Sequence, residues 1–390
     1  MKTNDIYLAS KPRYEILDGL RGVAAVLVVA YHLLESYFHG GTDQPLNHGY
    51  LAVDFFFVLS GFVIGYAYDD RWNRMTVRSF FKRRLVRLHP MVILGTVFGA
   101  LLFYLQEGET FPLIADTDVW MVLLCMIWCC TMIPMGTGMD IRGWAETNPL
   151  DGPAWSLQWE YVANILYALV FRRVGKWVLG CCVAVFAMLT VVLCLNIDIF
   201  GVLEARAYAS YTVVGGWSLT PDQLQIGLTR LCYPFFMGLL LSRLNWKLRL
   251  PGGFWWCALS IVVLLGMPWM GCGESRFTNG VYECVCILVG FPLIVCLGAG
   301  SSELGGKSEK ISKFLGEISY PLYITHYPLI YIHQSWVARY ADAPLGRHVF
   351  VSVSIFILTI LVAYASYRLY DLPVREWLKN RWFKVESRNA

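Results

Sequence analysis

The sequence predicts an all-α fold: a polytopic transmembrane helical bundle of about ten spans plus one re-entrant or interfacial helix, with both termini cytoplasmic. Three observations lead there. Only 15% of the 390 residues are charged and 57% are hydrophobic, whereas soluble domains average about a quarter charged. The apolar residues fall in runs of roughly 15–20, the length a helix needs to cross hydrocarbon. The cations alternate by side. With the N-terminus inside, the inner segments hold Lys2, Lys11 and Arg13, the cluster from Arg71 to Arg87, "RRVGK" at 172–176, Arg243, Lys247, Arg249, Lys307, Lys310, Lys313 and the basic residues from Arg368 onward. The outer segments hold only Arg142, Arg206, Arg276, Arg339 and Arg347, which is the positive-inside pattern.

The expected spans are 16–36, 48–68, 90–105, 154–171, 177–197, 228–242, 254–270, 281–299, 320–336 and 348–368. The first is preceded by polar sequence and lacks a small-residue cleavage site, so it is expected to remain as helix one. The piece "VWMVLLCMIWCCTMI" (119–133) is short. Counting it as a crossing would send most later cations outside, so it is expected to be re-entrant or interfacial on the outer side. Residues 1–370 form the transmembrane domain. Residues 371–390 form a cytoplasmic amphipathic tail, in which "DLPVREWLKNRWFKV" alternates aromatics and cations.

Composition also excludes some functions. A net charge of +4 implies no nucleic-acid partner. The twelve Cys lie mostly inside apolar runs, with no paired C-x-x-C, so they act as small hydrophobes and no metal site is expected.

The chemistry sits on a few polar residues inside apolar runs. In "ILDGLRGVAAVLVVAYHLL" (16–34), Arg21 and His32 are eleven residues apart, which returns a helix to within about 20° of the same face, some 16 Å along. Intramembrane ionisable groups usually face a cavity or the bundle interior. Asp18 is placed to partner Arg21. In the second span, Asp54 reaches a depth comparable to His32, where a carboxylate would fix an imidazole's tautomer. In "SFFKRRLVRLHP" (79–90), Arg84 and Arg87 share a face at i, i+3, and two guanidiniums suit phosphates. A plain positive-inside anchor would read the same way. Glu160 lies about two turns into the fourth span, four residues after Ser156 on one face. His32, Asp54 and Glu160 thus converge in one layer, unless Glu160 pairs with an Arg. In "FLGEISYPLYITHYPLIYIH" (314–333), Tyr320, Tyr323 and His326 fall within two turns on the inner half of a span.

Taken together, these pieces resemble the integral-membrane acyltransferase 3 family of bacterial O-acyltransferases. The matching motifs, in order, are "LDGLRGVAAVLVVAYH", "VDFFFVLSGF", "RRLVR", "GPAWSLQWE" and "LGEISYPLYITHYPL", and they span nearly the whole chain. "QWEYV" departs from members that carry a second acidic residue after the first Glu. The extracellular hydrolase-like domain of some members is not in this sequence, so it resembles the stand-alone form. The resemblance implies transfer of an acyl group, usually acetyl, from a cytoplasmic coenzyme-A thioester to a hydroxyl of a cell-surface glycan or lipid-linked sugar. His32 matches the family's essential histidine, and Arg21, Arg84 and Arg87 match its essential arginines.

The expected roles follow. Arg21, Arg84 and Arg87 hold the donor's phosphates, with Tyr320, Tyr323 and His326 also on the donor side. His32 acts as general base or covalent acyl carrier, oriented by Asp54 or Glu160. Tyr320, Tyr323 or Ser156 donates to the oxyanion, and Ser156 and Trp159 contact the acceptor. The competing expectation is a proton-coupled secondary transporter of an anionic metabolite, which also buries Arg, His and Glu near the midplane.

Overall fold

Why helices begin and end where they do follows from local chemistry. The computed structural model describes residues 11–38, 44–204, 209–271, 273–301 and 305–383. Helices α1 (Glu15–Phe38) and α2 (Ala52–Tyr68) form over the first two apolar runs. Helix α3 (Val77–Leu102) starts well before the expected residue 90. Thr76 caps it, accepting from the Ser79 N–H at 3.1 Å, and the Lys- and Arg-rich turns that follow are good helix formers despite their charge. Helix α4 (Val119–Cys129) has eleven residues. These rise about 16 Å, roughly half the hydrocarbon thickness.

Next come α5 (Ala154–Leu169), α6 (Lys176–Cys194) and α7 (Pro221–Leu244). Asn245 ends α7 in the left-handed conformation. Helix α8 (Gly253–Gly266) precedes α9 (Phe277–Val285), which passes through a π-turn at Cys286–Gly290 into α10 (Phe291–Gly300). Helices α11 (Lys307–Thr325) and α12 (Tyr327–Arg339) meet at His326. Helix α13 (Leu345–Ser366) continues through a second π-turn, Tyr367–Asp371, into α14 (Leu372–Trp382). Among the described residues the only β geometry is an isolated bridge between Gly108 and Phe111.

Seven stretches are long and apolar enough to cross a membrane: 15–38, 49–71, 77–106, 176–194, 221–244, 277–300 and 345–382. That is fewer than the ten spans expected from sequence, for two reasons. Helices α5, with 16 residues, and α8, with 14, are short. The expected span 320–336 is not one helix: α11 starts in polar sequence at Lys307, and the axis breaks between Thr325 and Tyr327. Pro321 and Pro328 flank that break, each removing a backbone donor.

Glycines let two helix pairs touch backbone to backbone. On α2 a Cβ at Gly61 would overlap the Phe235 carbonyl of α7, and Gly238 returns the contact against the Val58 carbonyl. On α1 a Cβ at Gly22 would overlap the Leu315 carbonyl of α11. Close approach of this kind is how helices associate where lipid cancels the hydrophobic gain. Around these pairs, Leu20, Phe55, Phe62, Phe235, Phe236 and Phe291 are fully or almost fully buried. Helix α13 turns Val349, Phe350, Val353, Ile357 and Leu361 outward, as a lipid-facing helix must.

Candidate functional site

His32 stands near the end of α1, and its immediate partner lies one turn on: Nδ1 is 2.8 Å from Glu35 Oε2. Tyr31 also donates to Glu35, at 3.4 Å. The His32 and Glu35 side chains are 18% and 25% exposed, so both are reachable from solvent. The carboxylate can only accept there, so a neutral His32 carries its proton on Nδ1 and leaves Nε2 bare. Tyr31 and Tyr327 meet the imidazole edge-on at 4.9 and 4.8 Å, and His326 stacks on it at 5.6 Å between ring centroids. His326 is fully buried. Its Nδ1 faces the Leu322 and Tyr323 carbonyls at 3.0 and 2.9 Å, and its Nε2 has no partner among the described residues. Because carbonyls can only accept, this ring too presents a bare Nε2.

These groups border a cavity of about 360 Å³ whose lining includes Tyr31, His32, Glu35, Tyr50, Trp144, Glu146, Trp155, Trp217, Arg230, Tyr323 and Tyr327. One wall is the segment 213–217. Gly215 and Gly216 have φ of +134° and +107°, a region L side chains rarely adopt, and a Cβ on Gly216 would run into the Trp155 ring. Hydrogen bonds pin the segment along its length. Val213 N–H donates to Glu283 at 2.7 Å, Gly216 N–H to Gln223 at 2.7 Å, Thr147 N–H to the Trp217 carbonyl at 2.8 Å, and Trp159 Nε1 to the Gly216 carbonyl at 3.3 Å.

The opposite wall is the loop before α5. Fully buried Arg142 holds it, donating to the Pro149 carbonyl at 2.8–2.9 Å and to Gln106 at 2.8 Å while lying 3.5 Å over the Tyr331 ring. Glu146 accepts from the Tyr331 hydroxyl at 2.6 Å. Burial pushes its carboxyl up to about 7, against the pull of Arg142 and that hydrogen bond. Burial, with a smaller push from Glu146, raises Asp151 well above the ordinary carboxylate value.

Asp54 and Glu160 do not touch His32. Asp54 is fully buried against Arg230, whose Nη2 and Nε lie 2.7 and 3.2 Å from its Oδ2. Arg230 also donates to the Gly215 carbonyl at 3.1 Å and the Tyr50 carbonyl at 2.7 Å. Glu160 accepts from Arg84 at 2.6 Å and from Ser60 at 2.8 Å, so it is an arginine's partner. Ser156 and Tyr323 are 2.7 Å apart, and both lie within reach of the Pro153 carbonyl, at 3.1 and 3.2 Å. One proton bonds that carbonyl and the other runs between the two hydroxyls. Tyr320 donates to the Leu88 carbonyl at 2.7 Å. Trp159 braces the 213–217 wall from behind, and it is Trp155, one turn earlier, that lines the cavity.

The arginines gather about three turns from His32. Arg21 pairs with Asp18 at 3.1 Å, and Arg375 of α14 with Asp371 at 2.8 Å. Arg87 is exposed, has no ion pair among the described residues, and lies in the field of Arg21, Arg84 and Arg375. Sequence reasoning missed Glu35, Arg230, Arg375 and the cavity's tryptophans. Of these, Glu35 was readable as an i, i+3 neighbour of His32. Among the described residues no group of three or more His, Cys, Asp or Glu converges as metal ligands would.

Comparison with known proteins bears on the chain as a whole. A family model described as an acyltransferase domain matches residues 14–368. "Protein 2 in picA locus" of Rhizobium radiobacter is 34% identical over 163 residues, 40% of this chain and 81% of that protein. The "putative peptidoglycan O-acetyltransferase YrhL" of Bacillus subtilis (strain 168) is 26% identical over 376 residues, 92% of this chain and 54% of that protein. "O-acetyltransferase OatA" of Staphylococcus aureus (strain NCTC 8325 / PS 47) is 25% identical over 400 residues, 96% of this chain and 60% of that protein. The chain therefore spans little more than half the length of the two O-acetyltransferases it matches. No solved structure matches it.

Proposed function

This chain belongs to the acyltransferase family whose model it matches from residue 14 to 368, and on that premise we propose that it is a multi-pass cell-membrane O-acyltransferase. It moves an acyl group, acetyl in the first instance, from a coenzyme-A thioester to a sugar hydroxyl. Its relatives' names point to glycan O-acetylation, which supports a glycan or lipid-linked sugar as acceptor.

The observation that carries the proposal is the His32–Glu35 pair, 2.8 Å apart on the wall of a tryptophan-lined cavity. Glu35 holds the Nδ1–H, so Nε2 takes the proton of the attacking hydroxyl while the carboxylate stabilises the imidazolium. The hydroxyl oxygen then bonds the thioester carbon. As the tetrahedral intermediate collapses, the C–S bond breaks, and His32 returns the proton to the leaving thiolate. Either hydroxyl of the Ser156–Tyr323 pair can turn its proton from Pro153 toward the oxyanion.

Donor binding rests on the arginine cluster, on the side assigned to the cytoplasm together with both termini. Arg87, with no carboxylate of its own, offers the freest guanidinium, and Arg21, Arg84 and Arg375 add field. The three helical turns between Arg21 and His32 span about 16 Å, the order of an extended pantetheine arm.

The test is purified protein in lipid nanodiscs with labelled acetyl-CoA and a glycan acceptor. Acceptor-dependent release of CoA, abolished by His32→Ala, supports the proposal. Near-normal transfer by His32→Ala overturns it. Uptake of an anion into vesicles with the thioester intact would replace the enzyme with a transporter.

A further inference from the structure

The cavity's charge inventory says something about the acceptor beyond its being a glycan. Three indole side chains, from Trp144, Trp155 and Trp217, line it. Aromatic faces are negative and attract the polarised C–H face of a pyranose. At about 360 Å³ the space is near the lower end of small-ligand sites, roughly 300–1,000 Å³. It accommodates one ring, not an oligosaccharide. The charged groups on its wall are two carboxyl groups, Glu35 and Glu146, and one guanidinium, Arg230, with buried Arg142 standing 3.9 Å from Glu146 on its far side.

Arg230 has four of its five N–H donors taken. Its Nε and Nη2 are committed to Asp54, Nη2 also to the Tyr50 carbonyl, and Nη1 to the Gly215 carbonyl. Its charge is balanced by Asp54 at 2.7 Å, with both side chains almost fully buried. His32, the remaining group able to carry positive charge, faces Glu35. An acidic substituent on a bound sugar would therefore meet the Glu35 carboxylate, a Glu146 whose charge Arg142 partly offsets, and no unbalanced cation. Hydroxyls and amines, by contrast, find carboxylate acceptors with lone pairs to spare.

We propose that this cavity is a one-ring acceptor subsite for hexoses and hexosamines without acidic groups, and that it selects against uronic and other carboxylated sugars. The proposal rests on the acyltransferase reading for its role, though not for its chemistry. The indoles stack the ring, and Glu35 and Glu146 receive its hydroxyls or amine. Glu35 serves twice, setting the base and screening the substrate's charge.

The test compares two ligands of one shape: methyl glucuronide and its neutral carboxamide, with the same pair in the galacto series. Binding to the protein in nanodiscs is measured calorimetrically at about pH 8, above the value to which Glu146 is raised, without acetyl-CoA, so no acyl transfer is needed. The amide is expected to bind roughly tenfold tighter than the acid or better, the scale of a like-charge repulsion in a partly solvated site. Glu146→Gln, which keeps an acceptor for Tyr331, is expected to narrow that ratio. Equal or tighter binding of the acid, or no saturable binding by any of the four compounds, overturns the proposal. If the amide is preferred but no sugar is ever acylated, the subsite stands and the enzymatic reading falls. If acylation proceeds and the acid binds as well, the subsite proposal alone falls.

Discussion

Removing the Glu35 carboxylate should separate catalysis from folding. In Glu35→Ala, His32 loses the acceptor 2.8 Å from Nδ1, so neither its tautomer nor its ring plane is held. The pair joins residues one turn apart, with side chains 18% and 25% exposed, and such pairs contribute about 0.2–1 kcal/mol to stability. For a chain of this size that lowers Tm by less than about 4 °C. The barrier suffers more. A general base that must find its own orientation, and whose imidazolium has no counter-charge, loses roughly 10²–10⁴-fold in kcat, or about 3–5 kcal/mol. KM for acetyl-CoA should be unchanged, because the arginine cluster lies about three turns away. The assay is CoA release against acceptor concentration, with wild type, Glu35→Ala, His32→Ala and the double variant side by side. The double variant should be no worse than His32→Ala, since both changes disable one unit. A Glu35→Ala enzyme with near wild-type kcat, or one whose whole defect lies in KM for the donor, would refute the assignment.

Asp54→Asn should behave in the opposite way. It leaves the buried Arg230 without its counter-ion, a loss of about 3–5 kcal/mol, read as a large fall in Tm before activity is measured. Arg87→Ala should raise KM for acetyl-CoA about tenfold with kcat nearly intact, as loss of uniform binding does; steady-state kinetics with an unchanged KM would remove Arg87 from the donor site. Glu146 makes stability pH-dependent. Its folded value is raised to about 7, so its contribution is complete below the ordinary Glu value and is lost as pH rises through about 7. Wild type should thus lose thermal stability between roughly pH 5 and 8, and Glu146→Gln should flatten that slope in a pH series of melting curves. Gly61→Val should push α2 off the Phe235 carbonyl of α7 at a cost of about 1–3 kcal/mol, seen as a lower Tm whatever the substrate.

Much of this architecture was readable before any coordinates, and the misses have physical causes. The first two spans were plain because 16–36 and 48–68 are apolar over most of their length. The start of α11 was not, because Lys307–Lys313 is polar sequence that hydropathy scores as loop although its helix propensity is good. His32 stood out as an ionisable group inside a span. Depth in the span points to Asp54 and Glu160 on neighbouring helices as its carboxylate, whereas the partner is Glu35, three residues on along its own helix. Asp54 and Glu160 each answer to an arginine, Arg230 and Arg84. One of those pairings was foreseen as an alternative for Glu160. The other could not be, since nothing in "RLCYPFF" says which helix Arg230 will face. The cavity's tryptophans come from the loop before α5, from α5 and from the 213–217 segment, and such long-range convergence leaves no local pattern in a single sequence.

Helix α1 is locked to α11 through Gly22 and the Leu315 carbonyl, while two of the three chamber tryptophans ride on connecting segments. Those segments are thus the place to re-engineer preference. On the proposed reading, exchanging residues 134–150 or 211–219 for those of a relative should trade one recipient for another while the His32–Glu35 pair, anchored in a helix, stays as it is.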